Sequence, residues 1–180
     1  MHDRTPHTAR RSVRWLLPLL VILGLSACPY SSEHPLSDPG AAALDSALVG
    51  SWKSQDPETL EWVTLSIFAY DEHELVAFTP GDSGGKADAY RLFVTTIDGE
   101  RFLNVQQLGE KDDREWLFVH YRVDGDRLVL RVLEDTLFDT TPIATSEALR
   151  SFVRRNLADP RLYSSDDTGR PEMTWQRADT

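Results

Sequence analysis

Two residues of this 180-residue chain have side chains that could act as nucleophiles and lie in distinctive sequence segments. Cys28 carries the only thiol, near the end of the apolar stretch LVILGLSACPY at residues 20–30. Ser83 lies within GDSGG, residues 81–85. A serine hydroxyl is weakly nucleophilic until a neighbouring base activates it, and a thiol can be catalytic, structural or a point of attachment. The sequence around each residue therefore decides what it can do.

The GDSGG segment is similar to the segment around the nucleophilic serine of trypsin-like proteases. That family needs a histidine base, which lies far upstream in a cysteine-flanked motif, and a carboxylate that orients it. Downstream of residue 27, only His34 and His73 precede Ser83. The surrounding TPGDSGGKAD is rich in turn-forming residues, which predicts a hairpin loop. We expect no catalytic residues and no enzymatic activity.

The histidines and acidic clusters do not have the spacing of a metal site. His34, His73 and His120 lack partners at i+2 or i+4, so a metal site would need ligands from distant strands. The acidic runs at 70–74 and 164–167 lack the spacing of a calcium loop and are typical of solvated turns. We therefore predict no metal and no non-covalent cofactor.

The amino-terminal residues form a secretory signal. Arg4, Arg10, Arg11 and Arg14 precede an uncharged stretch from residue 15 to residue 25. This stretch is shorter than the roughly 20 residues of a membrane-spanning helix, and Pro18 interrupts it.

The residues Leu25-Ser26-Ala27-Cys28 resemble the lipobox of bacterial lipoproteins. The resemblance implies a diacylglyceryl group on the Cys28 thiol, cleavage before Cys28 and acylation of the new amino terminus. Pro29 and Tyr30 follow the cysteine in place of the aspartate that tends to retain lipoproteins at the inner membrane. The resemblance thus implies anchoring in the outer membrane, facing the periplasm. The alternative is an ordinary secretory signal that leaves Cys28 as an unpaired thiol.

Removal of residues 1–27 would leave an acidic protein. Four arginines and one aspartate leave with the signal, out of 19 basic and 29 acidic side chains, so 15 basic and 28 acidic ones remain, a formal charge of −13. Such a charge repels nucleic-acid phosphates, and we expect no nucleic-acid partner. Membrane attachment would depend on the lipid.

The mature chain divides into two parts. Residues 28–47 are rich in Ser, Pro, Ala and Asp, and this composition predicts a flexible tether. Residues 48–180 form a single domain in which polar and apolar residues alternate with period two, as in half-buried strands. Asp-Gly pairs at 98–99 and 124–125 predict tight hairpins between consecutive antiparallel strands. The segment TSEALRSFVRRNL predicts one helix with an apolar stripe at 149, 152, 153 and 157.

Gly50-Ser51-Trp52 resembles the Gly-x-Trp of the first strand of lipocalins, in which the tryptophan closes the barrel base beneath an arginine from near the carboxyl end. The resemblance implies that Arg177 supplies that arginine. The chain also resembles small lipoproteins with a lipocalin-like domain. We therefore predict a mainly β fold, an antiparallel lipocalin-like barrel or half-barrel with one carboxyl-proximal helix. The alternative is a core tryptophan in an unrelated antiparallel fold.

Three hypotheses about function remain, and the first two depend on this fold. A barrel of this kind holds one small apolar ligand or lipid, or is filled by its own side chains. An envelope protein is the other candidate partner, because Trp62, Phe68, Trp116 and Phe118 lie on the strand faces opposite the aliphatic ones. Binding of an apolar ligand is the first hypothesis and an envelope scaffold the second. An envelope hydrolase is the third.

Replacement of Cys28 by serine removes the proposed site of lipid attachment. We expect the Cys28→Ser variant to fold and to leave the membrane fraction, because it would lack acyl chains. The measurement is the distribution of the protein between membrane pellet and supernatant. A variant that stays in the pellet would contradict lipid attachment at Cys28.

Overall fold

A computed structural model describes residues 29–56, 59–80, 87–109, 115–138, 143–163 and 172–178. Cys28, Ser83 and the acidic run at 164–167 lie outside these residues. The strands are β1 (Ser31–Ser32), β2 (Gly50–Gln55), β3 (Trp62–Ala69), β4 (Glu74–Thr79), β5 (Asp88–Ile97), β6 (Glu100–Leu108), β7 (Trp116–Asp124), β8 (Arg127–Val132) and β9 (Met173–Arg177). The helix α1 spans Ser146–Asn156, and short 3-10 turns lie at Pro39–Ala41, Ser46–Leu48, Asp135–Leu137 and Pro160–Leu162.

Strands β2 to β9 form a closed antiparallel barrel. Each strand from β2 to β8 pairs with the next strand along the chain. The last strand, β9, also pairs with β2, and this pairing closes the ring. Closure pairs Trp52 with Arg177 and Leu128 with Trp175. The predicted fold class is confirmed: the chain is mainly β, with an antiparallel barrel and one helix near its carboxyl end.

The two Asp-Gly pairs lie at tight hairpins, as predicted. Asp98 and Gly99 both have positive φ, 50° and 90°, which is the conformation of a type I′ turn. Gly125 follows the end of β7 and has φ 58°, a backbone conformation that glycine adopts more readily than residues with a side chain. These turns fix the registers that pair Ile97 with Glu100 and Asp124 with Arg127.

Strands β5 to β7 are apolar on both faces because each face is covered. Their inward residues join the barrel interior, together with buried residues of the other strands. Their outward residues, among them Phe93, Phe102 and Phe118, form a second cluster with the buried stripe of α1, which is Leu149, Phe152 and Val153. The Thr145 side chain caps the helix by accepting a hydrogen bond from the Ala148 amide. No helix among the described residues is long and apolar enough to cross a membrane.

The prediction of a flexible tether is wrong for residues 29–47, which pack along the outside of the barrel. Leu36 is 1% exposed, and its amide donates to the side-chain oxygen of Asn104 at 2.7 Å. Asn104 is fully buried and donates in turn to the Thr95 hydroxyl at 2.9 Å. Ser37 shares a 2.6 Å hydrogen bond with the same hydroxyl. These buried polar contacts hold a segment that has no apolar periodicity of its own.

Replacement of Asn104 by alanine should detach this segment. The Leu36 amide and the Thr95 hydroxyl would lose a buried partner, so we expect a loss of roughly 1–3 kcal/mol in the free energy of unfolding. Chemical denaturation measures the loss, with Thr96→Ala as the control, because Thr96 is an exposed residue near the end of β5. Equal midpoints for the two variants would show that the contact does not hold the segment.

Candidate functional site

The barrel encloses an apolar cavity. Its volume, taken as the space that the centre of a water molecule could reach, is about 70 Å³, and its surface is apolar throughout. A water molecule needs roughly 10–15 Å³ on this measure and two to four polar partners, so the cavity has room for water but offers it no hydrogen bonds. The residues that line it are Pro29, Leu65, Ile67, Ala77, Tyr90, Leu92, Leu103, Val105, Leu117, Val119, Leu128, Leu130, Val132 and Met173.

The cavity extends along the barrel axis. Leu128, Leu130 and Val132 line it from successive inward positions of β8, which is a path of about 13 Å at 3.2–3.4 Å per residue. Ala77 supplies the smallest side chain of the lining and pairs across the sheet with Tyr90 on one side and Ile67 on the other. The cavity thus offers an apolar surface along much of β8 and no partner for a polar group.

The base of the barrel, the end at which β2 begins and β9 ends, is closed by Trp52 and Arg177. Trp52 is fully buried, and the Arg177 guanidinium carbon lies 4.2 Å from the centre of its ring. Arg177 donates two 3.0 Å hydrogen bonds, to the carbonyls of Val49 and Ala47. A Cβ at Gly50 would lie 2.7 Å from an Arg177 nitrogen. The structure thus brings together Gly50, Trp52 and Arg177, which the lipocalin resemblance had grouped.

The segment before β2 completes this closure. Asp45 accepts a 2.6 Å hydrogen bond from Arg101 and a 2.9 Å hydrogen bond from the Tyr121 hydroxyl. Burial raises the pKa of Tyr121, and its hydrogen bond to the Asp45 carboxylate raises the pKa further. The hydroxyl therefore stays protonated and remains a donor. Nearby, His73 Nδ1 lies 2.9 Å from the Ala42 carbonyl.

The opposite end, which we call the mouth, is the end at which β2 ends and β9 begins. Pro29 and Met173 line the cavity there and are partly exposed. Near this end, Leu60 of the β2–β3 connection and Trp62, the first residue of β3, are exposed at 66% and 63%. The cavity is partly open to solvent, and Trp52 and Arg177 close its base.

The four aromatic residues proposed as a partner surface separate into two pairs. Trp116 and Phe118 are buried, at 7% and 0% exposure, in the cluster beneath α1. Trp62 remains exposed, as does Phe68 at 52%, which contacts Phe78 edge to face at 6.1 Å. Only half of the proposed surface is thus accessible.

The described histidines have separate structural surroundings. His120 lies between Phe102 and Tyr163, with its Nε2 2.6 Å from a Glu100 carboxylate oxygen. The His34 amide donates to the Ser32 hydroxyl. Within the described ranges, no group of three or more His, Cys, Asp or Glu side chains could hold a metal ion.

The cavity lining was not among the residues singled out from the sequence. Period two shows which residues of a strand share a face, but it does not show where their side chains leave space. The small side chain of Ala77 in β4 is the clearest signal in retrospect, since a larger residue there would fill the cavity.

Comparisons with protein-family models, with curated proteins and with solved structures found no match to this chain.

Gly50 provides a test of the base. It has φ 137°, which disfavours a side chain, and a Cβ would displace the Arg177 nitrogen that binds the Val49 carbonyl. We expect Gly50→Ala to lower the free energy of unfolding by about 1–3 kcal/mol. Gly40→Ala is the matched control, because a Cβ there meets no atom within 4 Å. Denaturation midpoints that agree for the two variants would rule out this role for Gly50.

Proposed function

We propose that the protein is a lipid-anchored, periplasm-facing component of the outer membrane whose barrel binds one small apolar ligand of the acyl-chain class. The observation that carries the ligand proposal is the cavity, which is apolar throughout and partly open to solvent. The lipobox resemblance at Leu25–Cys28 supports the membrane anchor, and the acidic mature chain supports a function away from nucleic acid.

The geometry favours binding over simple packing. A barrel filled by its own side chains leaves no continuous space, whereas here the space follows three successive inward positions of β8. Each methylene group that enters such a space contributes about 0.8 kcal/mol. With no polar surface in the cavity, the ligand's polar end would remain at the mouth.

The cavity also limits what can bind. Dry apolar cavities of about 150 Å³ hold a benzene molecule, and this one is about half as large. A cavity of this size therefore admits a short run of methylene groups from a single chain, and it admits neither a fused ring system nor a two-chain lipid. The proposed role is that of a binding protein, with no chemical step.

The second candidate function is a scaffold for another envelope protein. It is supported by the exposed pair Phe68 and Phe78 on the outer wall and by Trp62. The burial of Trp116 and Phe118 reduces the surface on which it depends.

A graded substitution at Ala77 tests ligand binding. In the full-length Cys28→Ser protein, we expect Ala77→Leu to weaken binding of cis-parinaric acid and Ala77→Phe to weaken it more, because each fills part of the cavity. A loss of roughly tenfold corresponds to about two methylene groups excluded from the cavity. The measurement is the rise in probe fluorescence on titration.

Val76→Leu and Val76→Phe are the matched controls, because Val76 precedes Ala77 in β4 and faces outward, opposite Phe68 and Arg91. Thermal unfolding shows whether each variant is folded. Failure of the parent Cys28→Ser protein to bind the probe would reject the ligand proposal and favour the scaffold. Equal binding by the Ala77 and Val76 variants would place the probe outside the cavity.

A further inference from the structure

The first described residue, Pro29, is itself part of the cavity lining. The backbone next to it is held against the barrel wall. The Tyr30 amide donates to the Leu133 carbonyl at 2.9 Å, and Pro29 forms an isolated β-bridge with Glu134. The Tyr30 ring stacks on Phe138 with 3.6 Å between ring centres. Pro29 and Tyr30 are therefore held in a fixed position at the mouth of the barrel.

The residue before Pro29 in the sequence is Cys28. Cys28 is therefore bonded directly to a residue of the cavity lining. The residues that follow belong to the sheet, since Ser31 and Ser32 pair with Leu117 and Trp116 of β7. A lipid on Cys28 would thus begin beside the mouth, with no tether between it and the barrel.

The chemistry of the cavity matches part of that lipid. The apolar surface accepts methylene groups but offers nothing to ester or glycerol oxygens, which would stay outside at Cys28. Covalent attachment replaces a bimolecular association by an intramolecular one, with an effective concentration in the millimolar range for short linkers. A free ligand from solution would have to compete with a chain that is always present at the mouth.

We infer that the barrel binds one of the acyl chains carried by its own Cys28, while the remaining chains insert in the membrane. This inference rests on the proposed function, in both its lipid anchor and its apolar cavity. It adds the source of the ligand, a covalently attached chain of the same molecule. With a volume of about 70 Å³, the cavity has room for part of one chain and no room for a second.

The competing arrangement is a barrel whose mouth rests on the bilayer with all anchor chains in the membrane. The exposed Leu60 and Trp62 near the mouth would suit such a contact. The two arrangements differ in what surrounds the end of the anchor chain. If the barrel binds the chain, the inward residues of the barrel surround the end of the chain. If all anchor chains are in the membrane, lipid surrounds it.

Photo-crosslinking distinguishes these surroundings. Cells grown with a palmitate that carries a diazirine and an alkyne place the photoreactive group in the acyl chains on Cys28. After irradiation of native membranes, peptide mass spectrometry locates the crosslinks. We expect them to join the Cys28 peptide to inward residues such as Leu103, Val105 and Leu117, in a product of monomer size. Ala77→Phe should lose most of these crosslinks, and Val76→Phe should keep them.

Crosslinks to membrane lipids alone, or a covalent dimer of two copies, would overturn the inference. The same photoreactive palmitate, offered as the free acid to the full-length Cys28→Ser protein, separates this failure from failure of the proposed function. If the free acid labels the inward residues but the attached chain does not, the ligand site stands and its source is not Cys28. If neither labels them, the ligand site fails as well. Absence of incorporated palmitate in the wild-type protein would reject the lipid anchor and with it the inference.

Discussion

The barrel depends on one contact at its base, the stacking of the Arg177 guanidinium on the Trp52 ring. Arg177 belongs to the last strand and Trp52 to the first strand of the barrel, so the contact joins the two ends of the sheet. The same guanidinium donates to the carbonyls of Ala47 and Val49, which fixes the segment that enters β2. The pairing of β9 with β2 and β8 closes the sheet, and this contact fills the base of the cavity that the closed sheet surrounds.

Residues 29–47 connect the base of the barrel to its mouth. They run from the mouth, where Pro29 lines the cavity, past the buried Asn104, to the base, where Asp45 binds Arg101 and Tyr121. One continuous segment therefore joins Pro29 at the mouth to the base of the cavity. The lipid anchor proposed at Cys28 would be bonded directly to this segment.

The sequence predicts local features of this fold well and long-range ones poorly. Period two, the Asp-Gly turns and the capped helix depend on neighbouring residues, and the structure agrees with them. The packing of residues 29–47 depends on a contact between the buried Leu36 and Asn104, which lies 68 positions later in the sequence. The composition of the segment contains no sign of this distant contact, and it therefore predicted a flexible tether. The burial of Trp116 and Phe118 but not of Trp62 depends on where α1 packs, which no strand pattern encodes. The free space beside Ala77 likewise depends on how eight strands are arranged around it.

The position of β9 between β2 and β8 has a consequence for biogenesis. The first strand of the barrel pairs with residues more than a hundred positions later, and a chain dominated by such distant pairs folds slowly. A polypeptide that crosses a membrane amino end first would have β2 available long before β9. During that interval the free edges of β2 and β8 could pair with other chains, which is a route to aggregation. An export of this chain, as proposed from its amino-terminal residues, would thus leave it prone to aggregation until the final strand arrives, and a holding chaperone would be of most use before that moment.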